Sequence, residues 1–214
     1  MSADTGVDLL GFVVPDTFEQ FRPVARLPLR PRRERDDPQT AHVIERIRSR
    51  QTFEPSYHGP MSIHAYFDGL CQPRNPSGYA CGGWYVAPAP DVPGFEAEIR
   101  GNGFFVRGRE ATNNLAEYLA ALNVLNVIFE IGYRDRVLLH GDSELVVRQF
   151  NGIYKCKKPT LQTLLAQLRD NAARFEQVDV IWVPRELNAI ADEESRKAYD
   201  SMARTLDTTG VGRG

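Results

Sequence analysis

Three segments of the chain alternate apolar and polar residues, as β-strands do when one of their faces is buried. These segments read SIHAYFDG, ACGGWYVAP and AEIRGNGFFVRG, and loops rich in Pro, Asn and Gly separate them. A period of two residues with turn residues between the segments is typical of an antiparallel meander. The sequence therefore predicts three consecutive strands that begin near Met61.

The period then changes to that of amphipathic helices. Apolar residues recur at helical spacing in TNNLAEYLAALNVLNVIFEIG, which ends at Gly132, and further helices are predicted in SELVVRQFNG, PTLQTLLAQLRDNAARF and ELNAIADEESRKAYDSMARTL. The short apolar segments RVLLHGDS and VDVIWVP predict two more strands. The resulting order, β-β-β-α-β-α-α-β-α, predicts an α/β fold with a five-stranded mixed sheet flanked by helices.

Residues 1–60 differ from the rest of the chain because their apolar residues follow neither the strand period nor the helical period described above. The stretch RPVARLPLRPRRERDDP is rich in Pro and Arg, and a short helix could form over AHVIERIRSRQ. The extension is interpreted either as a basic arm that adds phosphate contacts or as a solvated linker. We therefore predict an N-terminal extension over residues 1–60, a folded domain over residues 61–206 and a disordered tail over residues 207–214.

Composition narrows the class of protein. The formal net charge of −2 over 214 residues gives no overall attraction to nucleic acid, although a local basic stripe can still follow a phosphate backbone. The first residues lack the features of a signal peptide, and no apolar run approaches a membrane span. Three irregularly spaced cysteines indicate neither a disulfide framework nor a zinc site. We expect a soluble cytoplasmic protein that acts as a monomer away from membranes.

Four acidic residues lie where predicted strands or helices would direct them toward one point. They are Asp68, Glu117, Asp142 and Asp192. Each alone has an ordinary explanation as a helix cap or a surface group. Together they predict a site for hard divalent ions, because a buried carboxylate must be paired or bound to a metal and Mg²⁺ prefers oxygen ligands.

The strings that contain these acids resemble a known family. YFDGL, ATNNLAEYLAAL, GDSELVV and VPRELNAIADEES are similar, in order and spacing, to the four motif regions of type 1 ribonuclease H. The resemblance covers roughly Ser62 to Ala203 and is greatest to the compact archaeal and bacterial branch. It implies the ribonuclease H-like fold for the folded domain.

The resemblance also implies an activity: hydrolysis of the RNA strand of an RNA–DNA hybrid with two Mg²⁺ or Mn²⁺ ions, leaving a 5′-phosphate and a 3′-hydroxyl. Asp68 would bridge the two ions, Glu117 and Asp142 would hold one, and Asp192 would hold the other. A metal-bound water would be the nucleophile. Some compact members also cleave double-stranded RNA, so a broader specificity stays open.

Further residues are expected to contact the nucleic acid: Asn75, Thr112, Asn113, Asn114, Glu144 and Arg185. The short polar side chains suit contacts to sugar and phosphate, and the 2′-hydroxyl distinguishes RNA from DNA. The alternative is helix capping for the TNN string and turn chemistry for Asn75.

The chain departs from the family pattern in three places. Many members carry a His before the last acid, and the string VIWVPRELNAIAD has none. Arg185 lies nearby but cannot act as a base; it could bind phosphate or be a surface residue. Glu144 stands where a Gln often follows GDS, which could weaken an RNA contact. The lysine-rich protrusion of some members is not evident. Between the predicted helices, only YKCKK supplies local positive charge, which could guide the DNA strand or be a solvated loop.

Three other interpretations are weaker. A proofreading exonuclease of this fold carries a DxE pair on its first strand, where this chain has DGL, and an integrase or transposase would lack the TNNxxE string. A non-catalytic nucleic-acid-binding module would have little reason to keep four acids beside a polyanion.

Overall fold

The computed structural model describes residues 62–209, and the side chains as far as residue 206. The predicted extension over residues 1–60, with its short helix, therefore lies outside the described residues. The last helix runs to Thr209, three residues beyond residue 206, where the predicted folded domain ends. The helix therefore includes the first three residues of the predicted tail.

Over residues 62–209, one mixed sheet of five strands forms the centre of the fold. The strands are β1 (Ser62–Gln72), β2 (Tyr79–Val86), β3 (Ile99–Arg107), β4 (Arg136–Gly141) and β5 (Gln177–Trp182). Their order across the sheet is β3-β2-β1-β4-β5. The first three pair antiparallel, and β4 pairs parallel with both β1 and β5. The predicted α/β fold with a five-stranded mixed sheet is confirmed.

In the described part of the chain, four α-helices and one 3₁₀ turn connect and cover these strands. The helices are α1 (Asn113–Ile131), α2 (Glu144–Phe150), α3 (Pro159–Ala172) and α4 (Ala189–Thr209), and the 3₁₀ turn spans Arg185–Leu187. Helix α1 begins after Thr112, whose hydroxyl accepts a hydrogen bond from the Leu115 N–H, and ends at Gly132 in the left-handed conformation. The order of elements is the predicted one.

The two faces of the sheet are covered by different helices. Helix α1 packs on β1 and β2 and against α3, whereas α4 packs on β2, β3 and β1. Two glycines permit the closest approaches: a Cβ at Gly69 would overlap the backbone of α1 at Glu117, and a Cβ at Gly83 would overlap the backbone of α4. These contacts fix α1 against β1, the strand that carries Asp68, and α4 against the neighbouring strand β2.

Contrary to the expectation that no apolar run approaches a membrane span, helix α1 is long and apolar enough, by length and composition, to cross a membrane. Half of its positions are buried against the sheet, including Tyr118, Leu125 and Ile128, which are completely inaccessible to solvent. Its apolar character therefore has a structural explanation, since α1 is the central helix of the hydrophobic core.

Candidate active site

Three of the four predicted acids meet at one edge of the sheet. Asp68 lies in β1, and Asp142 follows the last residue of β4. These strands are parallel neighbours, with Phe67 opposite Gly141, so both carboxylates emerge side by side. Glu117 joins them from the second turn of α1 because Gly69 lets that helix lie directly on β1.

The geometry of these carboxylates suits a divalent cation. One oxygen from each of Asp68, Glu117 and Asp142 lies within 4.8 Å of the other two. Asp68 and Glu117 are only 6% and 5% exposed, and Glu117 Oε2 has no hydrogen-bond partner among the residues that the structure describes. An unpartnered buried carboxylate oxygen is costly unless a cation neutralises it. Because hard divalent ions prefer oxygen ligands, these residues fit Mg²⁺ or Mn²⁺.

The burial and mutual proximity of these carboxylates raise the pKa values of Asp68 and Glu117. Burial raises the pKa of Asp68 from 3.8 to about 7, and the nearby charges of Asp142 and Asp192 act in the same direction, although a hydrogen bond from Ser195 opposes them. Burial also raises the pKa of Glu117 well above its usual value, with further contributions from Asp68 and Asp142. A bound cation would favour the ionised forms, so metal binding and proton release are coupled.

The fourth acid, Asp192, lies outside this three-carboxylate group. Its Oδ1 is 2.5 Å from Arg185 Nη2 and its Oδ2 is 2.9 Å from Arg196 Nη2. Its charge nevertheless contributes to the raised pKa of Asp68, so Asp192 lies close to the group. The structure therefore brings together three of the four predicted acids and pairs the fourth with two guanidinium groups.

A buried amide that the sequence did not single out holds Asp142 in place. Asn188, 1% exposed, donates through Nδ2 to the backbone oxygen of Phe67 at 2.9 Å and to Asp142 Oδ1 at 3.1 Å. Within residues 62–209, Asn188 Oδ1 has no hydrogen-bond partner. The available signal was its position in the NAIAD string, four residues before Asp192.

Four of the predicted substrate-contact residues line a cavity of about 420 Å³ together with the three carboxylates: Asn113, Asn114, Glu144 and Arg185. The cavity opens from the carboxylates toward solvent, and its walls are mostly polar. Arg185 is the cationic residue among those that line the cavity, and the Arg185 side chain is 66% exposed. An elongated anionic ligand could therefore reach the carboxylates from this side.

The remaining two predicted contacts, Asn75 and Thr112, have structural partners. Asn75 Oδ1 accepts a hydrogen bond from the Asn113 N–H at 3.2 Å, and Thr112 caps α1. Asn113 is itself oriented by the Cys71 N–H, which donates to its Oδ1 at 2.9 Å. Both residues thus support the start of α1, and neither lines the cavity described above.

Glu144, at the start of α2, is held in an ion pair that constrains its carboxylate. Its Oε1 lies 2.6 Å from Arg148 Nε, one turn later in the same helix. Tyr154 follows α2 and donates a long hydrogen bond of 3.4 Å to the same oxygen. Glu144 therefore carries a partly neutralised charge at the cavity wall. The lysines of the YKCKK string are exposed in the loop that follows.

Comparison with known proteins agrees with this geometry. Residues 101–198 match the family model described as reverse transcriptase-like. A ribonuclease HI of Halobacterium salinarum is 33% identical over 138 residues, which is 64% of this chain and 64% of that protein. The bifunctional protein Rv2228c of Mycobacterium tuberculosis is 37% identical over 95 residues, 44% of this chain and 26% of that protein. The chain thus spans less than two thirds of these relatives' length.

Solved structures extend the similarity to the fold. The RNase H1 of the halophilic archaeon Halobacterium salinarum superposes with a TM-score of 0.57 at 31% identity, covering 65% of this chain and 98% of that one. LC11-RNase H1, solved in complex with an RNA/DNA hybrid, gives a TM-score of 0.57 at 28% identity and covers 66% and 99%. With the motif order, the topology and the converging carboxylates already established, the chain belongs to the type 1 ribonuclease H family.

Proposed function

We propose that this protein is an endonuclease that hydrolyses the RNA strand of RNA–DNA hybrids with divalent metal ions, leaving 5′-phosphate and 3′-hydroxyl ends. The observation that carries the proposal is the group of three converging carboxylates with an unpartnered oxygen on buried Glu117. The hybrid bound to LC11-RNase H1 supports the choice of substrate.

The three carboxylates would hold the ions, and Asp192 would complete the set from α4 as a ligand to the second ion. When two divalent ions are bound, they stabilise the attacking and leaving oxygens of an in-line displacement at phosphorus. The protein's contribution is position: Asn188 fixes Asp142, and the contact at Gly69 fixes Glu117. Residues held in place before the reaction need no reorganisation during it.

The cavity wall would select and align the nucleic acid. Asn113 and Asn114 offer amide donors and acceptors that suit a ribose 2′-hydroxyl, which is the group that distinguishes RNA from DNA. Arg185 would bind a backbone phosphate through its guanidinium group, since arginine cannot act as a base. Asn75 and Thr112 would act indirectly, by holding the backbone that carries these amides.

The direct test is cleavage of an end-labelled RNA–DNA hybrid by the full chain, with Mg²⁺ or Mn²⁺ and with EDTA. The Asp142→Asn variant removes one carboxylate charge while keeping its shape, and we expect it to lose cleavage. Absence of metal-dependent cleavage by the wild type, or equal cleavage by the variant, would refute the proposal. Parallel lanes of double-stranded RNA and double-stranded DNA would define the specificity; cleavage of the DNA duplex at the same rate would exclude recognition of the RNA strand.

A further inference from the structure

A buried hydroxyl lies against the central carboxylate of the site. Ser195, in α4, is completely inaccessible to solvent, and its hydroxyl donates to Asp68 Oδ2. The carbonyl oxygen of Asp192 lies 2.9 Å from the same hydroxyl and is a second acceptor within reach. A hydroxyl has one proton, so the two acceptors compete for it.

The charge on Asp68 decides this competition. Hydrogen bonds to an ionised acceptor are roughly twice as strong as those between neutral groups. Whenever Asp68 is ionised, as it must be to bind a cation, the Ser195 proton is therefore directed to Asp68 and away from the Asp192 carbonyl. The hydroxyl therefore donates its hydrogen bond to Asp68 in the same ionised form that binds a metal ion.

The backbone around Ser195 leaves little freedom for this contact to shift. Asp68 is paired with Gly83 across β1 and β2, and a Cβ at Gly83 would overlap the Ser195 backbone nitrogen. The preceding residue, Glu194, anchors α4 to β3, because Asn102 Nδ2 donates to its carboxylate at 2.7 Å. The helix thus presents the hydroxyl to Asp68 from a fixed distance.

We propose that Ser195 is a positioning residue of the metal site: its hydroxyl holds Asp68 Oδ2, so that the carboxylate keeps its orientation toward Glu117 and Asp142. The inference rests on the proposed function, since it concerns the same metal-binding group. Partners that orient metal ligands typically change metal affinity or activity by about 10–100-fold when they are removed.

The test is the affinity of the full chain for Mn²⁺ in the absence of nucleic acid, measured by isothermal titration calorimetry. Ser195→Ala removes the donor, and Ser195→Cys keeps the shape of the side chain, with a slightly larger sulfur atom, but offers only a weak donor. We expect both variants to bind Mn²⁺ at least about 10-fold more weakly than the wild type, and Ser195→Thr, which keeps the hydroxyl, to bind it nearly as well. Ser201→Ala, at an exposed position of the same helix, is the matched control.

The outcomes separate this inference from the proposed function. If the Ala and Cys variants bind Mn²⁺ as the wild type does, Ser195 has no positioning role, and a lower melting temperature alone would show only a packing role. If the Thr variant fails to fold, the Ala and Cys variants decide the question by themselves. A wild type that binds no Mn²⁺ would remove both the proposed function and this inference.

Discussion

Replacing Asp68 with Asn should stabilise the metal-free protein at alkaline pH. Burial raises the pKa of this carboxyl from 3.8 to about 7. Because the pKa of Asp68 is higher in the folded state than in the unfolded state, the free energy of unfolding is highest below pH 3.8 and falls as the pH rises through about 7. A difference of one in pKa corresponds to about 1.4 kcal/mol, so ionised Asp68 costs about 4 kcal/mol at pH 8.

Asn is neutral at every pH, so the Asp68→Asn variant avoids this cost. A change of 1 kcal/mol shifts the melting temperature of a domain of this size by about 2–4 °C, so the variant should melt roughly 10 °C above the wild type at pH 8 in EDTA. At pH 4 the difference should fall below about 1 kcal/mol, because Asp68 is then protonated in the folded wild type. Thermal unfolding followed by circular dichroism measures both.

Asp170→Asn, which neutralises an exposed carboxylate on α3, is the matched control and should show no comparable gain. Adding Mn²⁺ at pH 8 should stabilise the wild type much more than the Asp68→Asn variant, because ligand binding to the folded state adds to its stability. Equal melting temperatures at pH 8, or a difference that stays the same from pH 4 to pH 8, would refute the assignment of Asp68 as a buried, destabilising charge.

Two further predictions concern packing and substrate contact. Gly69→Ala should destabilise the domain by more than about 3 kcal/mol in urea titrations, because the added Cβ would overlap the backbone of α1. Gly103→Ala is the control: its Cβ would meet only the Phe105 ring at 3.7 Å, so it should change the free energy of unfolding by less than about 1 kcal/mol. Equal effects would contradict the close approach. Arg185→Ala should weaken hybrid binding measured by fluorescence anisotropy, and it should reduce the slope of log affinity against log salt concentration by about 1. Arg196 pairs with the same carboxylate but does not line the cavity, so Arg196→Ala should leave that slope unchanged. Equal slopes for both variants would exclude the phosphate contact.

Much of the fold could be predicted because its signals are local. The alternation in SIHAYFDG and the helical period after Thr112 are properties of short segments, and burial of one face requires them. The end of α1 at Gly132 was predictable for the same reason, since a left-handed residue favours glycine. The boundary of α4 was not, because the ends of helices carry weaker signals than their centres.

The site was only partly predictable, because its details depend on contacts between distant segments. The convergence of Asp68 and Asp142 follows from two parallel strands, which the motif order already implied. The ion pairs of Asp192 and the hydrogen bond of Ser195 depend on how α4 lies across the sheet. No spacing in the sequence contains that information. Asn188 was predictable only in part, because the string that contains it was recognised but its burial was not predicted.

The measurement that tests the central claim most directly is single-turnover cleavage of the RNA strand in a hybrid by the wild type and by Glu117→Gln. Glu117 carries the unpartnered oxygen, and Gln keeps its size while removing its charge. Loss of several kcal/mol of charge stabilisation corresponds to a rate at least about 100-fold lower. We expect that loss in the variant, and no cleavage by the wild type in EDTA. Cleavage in EDTA, or a Glu117→Gln variant as fast as the wild type, would contradict the account.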